Sequence, residues 1–188
     1  MMNSSTQPFL TDIQELRRRA KASIEKGAVT STYGLPPEQM VEMLQSALAT
    51  EIVCVLRYTS HAVMAAGINS SEVKAEFDEH ATNEAKHMRM IAERIDQLGG
   101  EPNMHPEGLM TRSHTEYGKA ENLIEMVKEN LIAERIAVES YTEMIRFVGE
   151  KDITTRRMLE SILADEEEHA SDMHDLLVAH EGKPMLQS

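Results

Sequence analysis

The chain has 188 residues, enough for one domain with a sizeable core that needs no staples. Its 32 acidic against 19 basic side chains leave a formal charge of −13, which disfavours general affinity for nucleic-acid phosphate, though not a local basic contact, and attracts cations. A lone cysteine, Cys54, excludes an internal disulfide framework, and neither a secretory apolar segment nor 18 uncharged apolar residues in a row is present, so a cytoplasmic protein without a membrane span is expected.

Few Pro and Gly, with 14 Met and many Ala, Glu and Leu, lean the chain towards helix. Residues 1–10 read as a flexible tail. Asp12 to Lys26 predicts a short helix bearing Arg17, Arg18, Arg19, Lys21 and Lys26 and ending at Gly27; residues 1–36 form an N-terminal extension. Its charge is diluted by Glu15 and Glu25, so packing against the bundle or a neighbour is expected over binding DNA. Pro36 and Pro37 are placed to open the next helix. Four long helices are predicted over about 37–66, 71–98, 119–148 and 153–180, within a unit spanning 37–182, before a tail at 183–188. Gly67, Gly99-Gly100, Gly149 with Asp152, and Gly182 with Pro184 punctuate them. Short first and third links make antiparallel neighbours, and the long stretch from Gly99 to Gly118 can carry the chain along the whole bundle. The expected fold is an all-α antiparallel four-helix bundle with one long crossover.

The apolar stripe of each long helix contains a glutamate near its middle. Read at spacings of three and four, the stripes include Leu48, Glu51 and Val55; His80, Glu84, His87 and Ile91; Asn130, Glu134 and Val138; and Ile162, Glu166, His169 and Met173. A buried carboxylate costs several kcal/mol, and the stripes offer almost no basic partner. Two divalent cations would neutralise four such groups, and two imidazoles would complete the shells. One Glu from each of two helices, with Glu-x-x-His from each of the other two, is the di-metal carboxylate pattern. The i, i+3 spacing puts Glu84 with His87, and Glu166 with His169, on one face. Glu51, Glu84, His87, Glu134, Glu166 and His169 are therefore the expected ligands and the catalytic groups.

The pattern recurs. Glu51 and Tyr58 reappear 83 residues later as Glu134 and Tyr141; Glu84 and His87 reappear 82 residues later as Glu166 and His169. Two similar half-sites about a pseudo-twofold axis are expected. Tyr58 and Tyr141 are read as packed aromatics, with hydrogen bonding to a ligand glutamate as the functional alternative.

Over residues 38–180 the chain resembles the bacterioferritin family of the ferritin-like di-iron superfamily, on Glu51, Glu84-Ala-Lys-His87, Glu134 and Asp165-Glu-Glu-Glu-His169. The resemblance implies a ferritin-like fold and two iron ions per chain, bridged by Glu84 and Glu166, with Glu51 and His87 on one and Glu134 and His169 on the other. It implies a ferroxidase, an oxidoreductase that oxidises Fe(II) with O2 or peroxide in iron storage or detoxification, working as a homo-oligomer. Tyr58 matches a tyrosine near that family's site. The family's haem methionine falls at Ala85, which argues against haem, and only 19 residues follow His169, which argues against the family's short fifth helix and a 24-subunit cage.

Other readings stay open. The ligand types also suit manganese, so an oxygenase or a manganese catalase is an alternative, and so is a DNA-protecting mini-ferritin. Cys54 reads as a small buried thiol, the methionines as core filler, Glu167 and Glu168 as a solvated face, and His80 as a capped or exposed histidine with an accessory-ligand role as the alternative.

Overall fold

The computed structural model describes residues 12–67 and 70–181, and all the regular structure among them is helical. The helices are α1 (Ile13–Lys21), α2 (Pro37–Met64), α3 (Ser70–Gln97), α4 (Leu109–Arg112), α5 (Leu123–Val148) and α6 (Ile153–Glu181). Residues 1–10 and the tail at 183–188 lie outside the described residues.

Local chemistry sets the ends. Asp12 caps α1, its Oδ1 accepting from the Gln14 and Glu15 amides at 2.9 and 3.3 Å. Asn122 caps α5, its Oδ1 accepting from the Glu125 amide at 3.0 Å, which is why that helix begins at Leu123 and not at 119. Gly149 ends α5 at φ 52°, a region glycine enters freely. The helix expected over 12–26 is two pieces: α1 stops at Lys21, Ser23 adopts φ 54°, and a 3-10 turn over Ile24–Lys26 follows.

α2 pairs with α3, and α5 with α6. The core divides into two apolar clusters. One gathers Leu44, Leu48, Ile91, Ile95, Tyr141, Val148, Leu159 and Ile162; the other gathers Tyr58, Val73, Phe77, Met126, Val127 and Met173. Following residue numbers between them shows the chain direction. α2 and α6 run from the first cluster to the second, and α3 and α5 run back. The crossover must therefore travel the length of the bundle. It does so along α2, where Leu109 of α4 packs against Ala49 and Val53, and Gln45 bonds the Glu101 carbonyl and the Asn103 amide at 2.7 and 2.9 Å.

α2 has an 18-residue window of mean hydropathy 1.3, apolar enough to cross a membrane by length and composition alone. Half of that window is buried inside the bundle. The helix is apolar because it lines the core on one side and receives the crossover on another.

Among the described residues, the N-terminal extension docks through its second part. Val29, Tyr33 and Leu35 join the first cluster, while α1 has no buried residue and leaves Ile13 and Leu16 exposed. Packing of the basic segment against its own bundle is thus not what the structure shows. Arg18 and Arg19 instead bond Glu15 on the same helix. The dock is fastened by a polar knot. Tyr33 donates to Asp152 at 2.5 Å, and the Arg94 guanidinium bonds both Asp152 oxygens at 3.0 and 2.9 Å and Thr155 at 2.7 Å. Burial raises the Asp152 carboxyl, but Thr155, Tyr33 and Arg94 outweigh it and hold it below its ordinary value. The knot's stabilisation is therefore complete above the usual aspartate range and fades as acid carries the pH through the lowered value. Tyr33→Phe is expected to lower stability by about 1 kcal/mol, and Arg94→Met, which strands a buried carboxylate, by about 3 kcal/mol or more, both read from urea midpoints.

Candidate metal centre

Between the two apolar clusters lies a polar layer one to two helical turns thick. α2 contributes Glu51, α3 Glu84 and His87, α5 Glu134, and α6 Glu166 and His169, and none of the six is more than 2% exposed. Their ligand atoms fall into two groups, each within 4.8 Å: Glu51, Glu84, His87 and Glu166 in one, and Glu84, Glu134, Glu166 and His169 in the other. All six residues expected from the sequence are brought together.

The two shared carboxylates are split between the halves. Glu84 turns Oε2 to His87 Nδ1 at 3.6 Å and Oε1 to His169 Nδ1 at 3.4 Å. Glu166 turns Oε1 to His87 at 3.1 Å and Oε2 to His169 at 3.8 Å. Glu51 stands 3.6 Å from the His87 nitrogen and Glu134 3.9 Å from that of His169. Ligands about 2.1 Å from a shared ion are about 3.0 to 3.4 Å apart at octahedral or tetrahedral angles, so the spacing is that of a coordination shell slightly relaxed.

Seven buried atoms of these six residues have no hydrogen-bond partner: Glu51 Oε2, both Glu84 oxygens, Glu134 Oε2, Glu166 Oε1, and Nδ1 of His87 and of His169. Buried polar atoms are nearly always paired, so a cluster of orphans facing one another marks a place built for cations. The residues fit a metal pair. Burial first, then the Glu84 charge, pushes Glu51, Glu134 and Glu166 upward. Burial also opposes the Glu84 charge, but the neighbouring Glu51, His169 and His87 side chains outweigh it and hold its value low.

The outer atoms of the ligand set are held by a crossed pattern. The Tyr58 hydroxyl on α2 donates to Glu134 on α5, and the Tyr141 hydroxyl on α5 donates to Glu51 on α2. His87 Nε2 meets Asp165 at 3.0 Å and so donates away from the layer, leaving the Nδ1 lone pair facing inward. His169 Nε2 meets the Asn83 amide at 3.3 Å. Asn83 and Asp165 are 82 residues apart, so they occupy equivalent places in the repeat. That register could have found both, and sequence reasoning assigned neither a role.

Two further residues were misjudged or missed. His80 is 1% exposed, not a surface histidine: its Nδ1 lies 3.1 Å from the Tyr58 hydroxyl and its ring stacks on His169 at 4.0 Å. Arg57, 1% exposed, is a buried cation beside the layer that the stripes did not reveal. Its guanidinium is satisfied by neutral partners, Asn130 at 2.9 Å, Thr115 at 3.0 Å, the Glu116 carbonyl at 3.1 Å and the Cys54 sulfur at 3.3 Å. Cys54 is buried, as expected.

Residues 41–181 match the profile of the Ferritin-like domain, and the chain belongs to that family. A bacterioferritin of Desulfovibrio desulfuricans is 28% identical over 132 residues, 70% of this chain and 70% of that one. A DNA protection during starvation protein of Pyrococcus furiosus is 29% identical over 154 residues, 80% of this chain and 82% of its own. Among solved structures, a dodecameric thioferritin, the bacterioferritin-related protein of Bacteroides fragilis, superposes with a TM-score of 0.75 at 31% identity, covering 82% of this chain and 94% of that one. Fold and family therefore agree with the resemblance read from the motifs.

If buried like charges burden the fold, removing one must relieve it. In chelator, Glu166→Leu is expected to raise the urea midpoint, by about 1 to 4 kcal/mol in stability. The same substitution should abolish the extra stabilisation that divalent cations give the parent protein.

Proposed function

We propose that the protein is a di-iron ferroxidase, which binds Fe(II) in pairs within the buried layer and oxidises it with O2 or peroxide in cytoplasmic iron storage or detoxification. The observation that carries this reading is the splitting of Glu84 and Glu166, each aiming one oxygen at either imidazole. A single-ion site has no use for that arrangement.

On this reading iron is the substrate. Glu51 and His87 hold one ferrous ion, Glu134 and His169 the other, and Glu84 and Glu166 span both. Four carboxylates balance the charge of two divalent ions in a layer that excludes water. Oxygen atoms dominate the set and, as hard ligands, remain good partners when the iron becomes ferric, while the imidazoles tune affinity. Pairing matters because each ferrous ion yields one electron, and two electrons with two protons convert O2 to H2O2. Tyr58 and Tyr141 hold Glu134 and Glu51 in place, and Asp165 holds His87 with its lone pair inward. The dodecameric state of the similar thioferritin supports a homo-oligomer here.

Aerobic ferrous titration followed at the ferric absorption band should saturate at about two irons per chain. Glu84→Ala and Glu134→Ala should each lose most of that signal. Saturation at zero, or an unchanged Glu84→Ala, would count decisively against the reading. Preferential uptake of Mn(II) with rapid peroxide disproportionation would instead favour the catalase.

One observation favours a second role. α1 has no buried residue and carries Arg17, Arg18, Arg19 and Lys21, in a chain similar to a DNA protection during starvation protein. Salt-dependent DNA retention that disappears on deleting residues 1–30 would establish it, and no retention at low salt would dismiss it.

A further inference from the structure

His80 is a buried titratable group that a metal pair leaves unused. Its Nδ1 faces the Tyr58 hydroxyl at 3.1 Å. Tyr58 spends its only proton on Glu134, so that hydroxyl oxygen accepts from Nδ1–H. The tautomer follows: Nε2 carries the lone pair. This Nε2 is buried and has no hydrogen-bond partner, and it aims at Glu76 Oε1 at 3.3 Å and Asp172 Oδ2 at 3.5 Å. A lone pair set against two carboxylate oxygens is repulsive unless a proton or a metal cation lies between them. The two distances match the separation of about 3.4 Å between tetrahedral ligands of one ion.

The surroundings have a direction. The side chains of Glu76 and Asp172 are 30% and 40% exposed, whereas that of His80 is 2% exposed, so the cluster has a protein floor and an opening to solvent. Glu79, Glu168 and Asp175 act electrostatically on its acids and deepen the negative potential there. Inward, His80 joins Glu134 and His169 in a second group whose ligand atoms lie within 4.8 Å. One imidazole is thus common to an outer cluster and to one half of the buried layer.

The internal repeat supplies a comparison within the same chain. At a spacing of 82, His80 corresponds to Ile162, Glu76 to Met158 and Asp172 to Met90. All three counterparts are apolar: Ile162 is buried in the first core cluster, and Met158 and Met90 are half-buried against it. The outer triad is therefore a departure from the repeat, confined to the Glu134–His169 side.

We propose that Glu76, His80 and Asp172 form a third divalent-cation site, which receives cations from solvent and passes them to the Glu134–His169 half of the buried layer. The transfer rests on the reading of that layer as an iron site; the outer site does not.

Zinc, which is redox-inert, tests the site by calorimetry on the full chain. The parent should bind one Zn(II) more per chain than the Glu76→Gln/Asp172→Asn variant, whose substitutions fall at part-exposed positions and spare the core. A Glu51→Ala/Glu166→Ala variant should still bind the outer ion. Equal stoichiometry in the parent and the outer-site variant would overturn the site. Transfer is tested by stopped-flow ferrous oxidation at limiting Fe(II), where Glu76→Gln/Asp172→Asn should load about tenfold more slowly, with the gap closing as Fe(II) rises. A lost Zn(II) with unchanged loading would overturn the transfer and keep the site. Absence of ferric signal from the parent would overturn the ferroxidase reading and, with it, the transfer, while the Zn(II) difference still decides the outer site.

Discussion

Mutual repulsion among four buried carboxylates is the constraint around which this bundle is arranged. Each would cost several kcal/mol if left charged and unpaired, and a whole domain is stable by only about 5 to 15 kcal/mol. The fold tolerates the layer because it is narrow and flanked on both sides. Leu44, Leu48, Ile91 and Ile95 close it at one end, and Val73, Phe77, Val127 and Met173 at the other. Helices of 26 to 29 residues are needed for this, since each must supply core on either side of its glutamate. Helix length, in this protein, is a consequence of the site.

The crossed tyrosines show how the halves are joined. α2 pairs mainly with α3 and α5 with α6, so the two hairpins need ties across the layer. Tyr58 and Tyr141 provide them, each reaching from the first helix of its own hairpin to the glutamate of the other. Each hydroxyl occupies one oxygen of a glutamate and leaves the other turned into the layer, where Glu51 Oε2 and Glu134 Oε2 are without partners. Asp165 acts comparably on His87, crossing from α6 to α3. Such outer bonds fix which atom of each residue faces into the layer, which a ligand list alone does not.

Much of this was legible in the sequence because repetition separates signal from chance. One Glu-x-x-His on an acidic helix carries little information, whereas Glu51, Tyr58, Glu84 and His87 recurring in register carry a great deal. The same reasoning hid His80. Its counterpart is Ile162, so it looked like an isolated histidine, and burial by stacking on His169 depends on a contact 89 residues away that no local pattern announces. Arg57 was hidden for a related reason: a cation on an apolar helix reads as a surface residue until the crossover brings Thr115 and Glu116 over it. The break between α1 and the 3-10 turn was equally unreadable, because Ser23 in the left-handed region is a choice serine seldom makes.

The outer triad departs from the repeat on one side. Where Ile162, Met158 and Met90 seal the Glu51–His87 half with packed apolar side chains, His80, Glu76 and Asp172 face the Glu134–His169 half with ligand atoms and a route to water. A duplicated site that stayed symmetric would load both positions alike. Here the six inner ligands and the crossed tyrosines keep the symmetry, while the outer triad abandons it. Exchange with solvent and chemistry make opposite demands on the wall of a buried site, one for an opening and the other for exclusion of water. On the proposed reading, an opening beside one half alone would let a single layer meet both, because Glu84 and Glu166 turn one oxygen to each half.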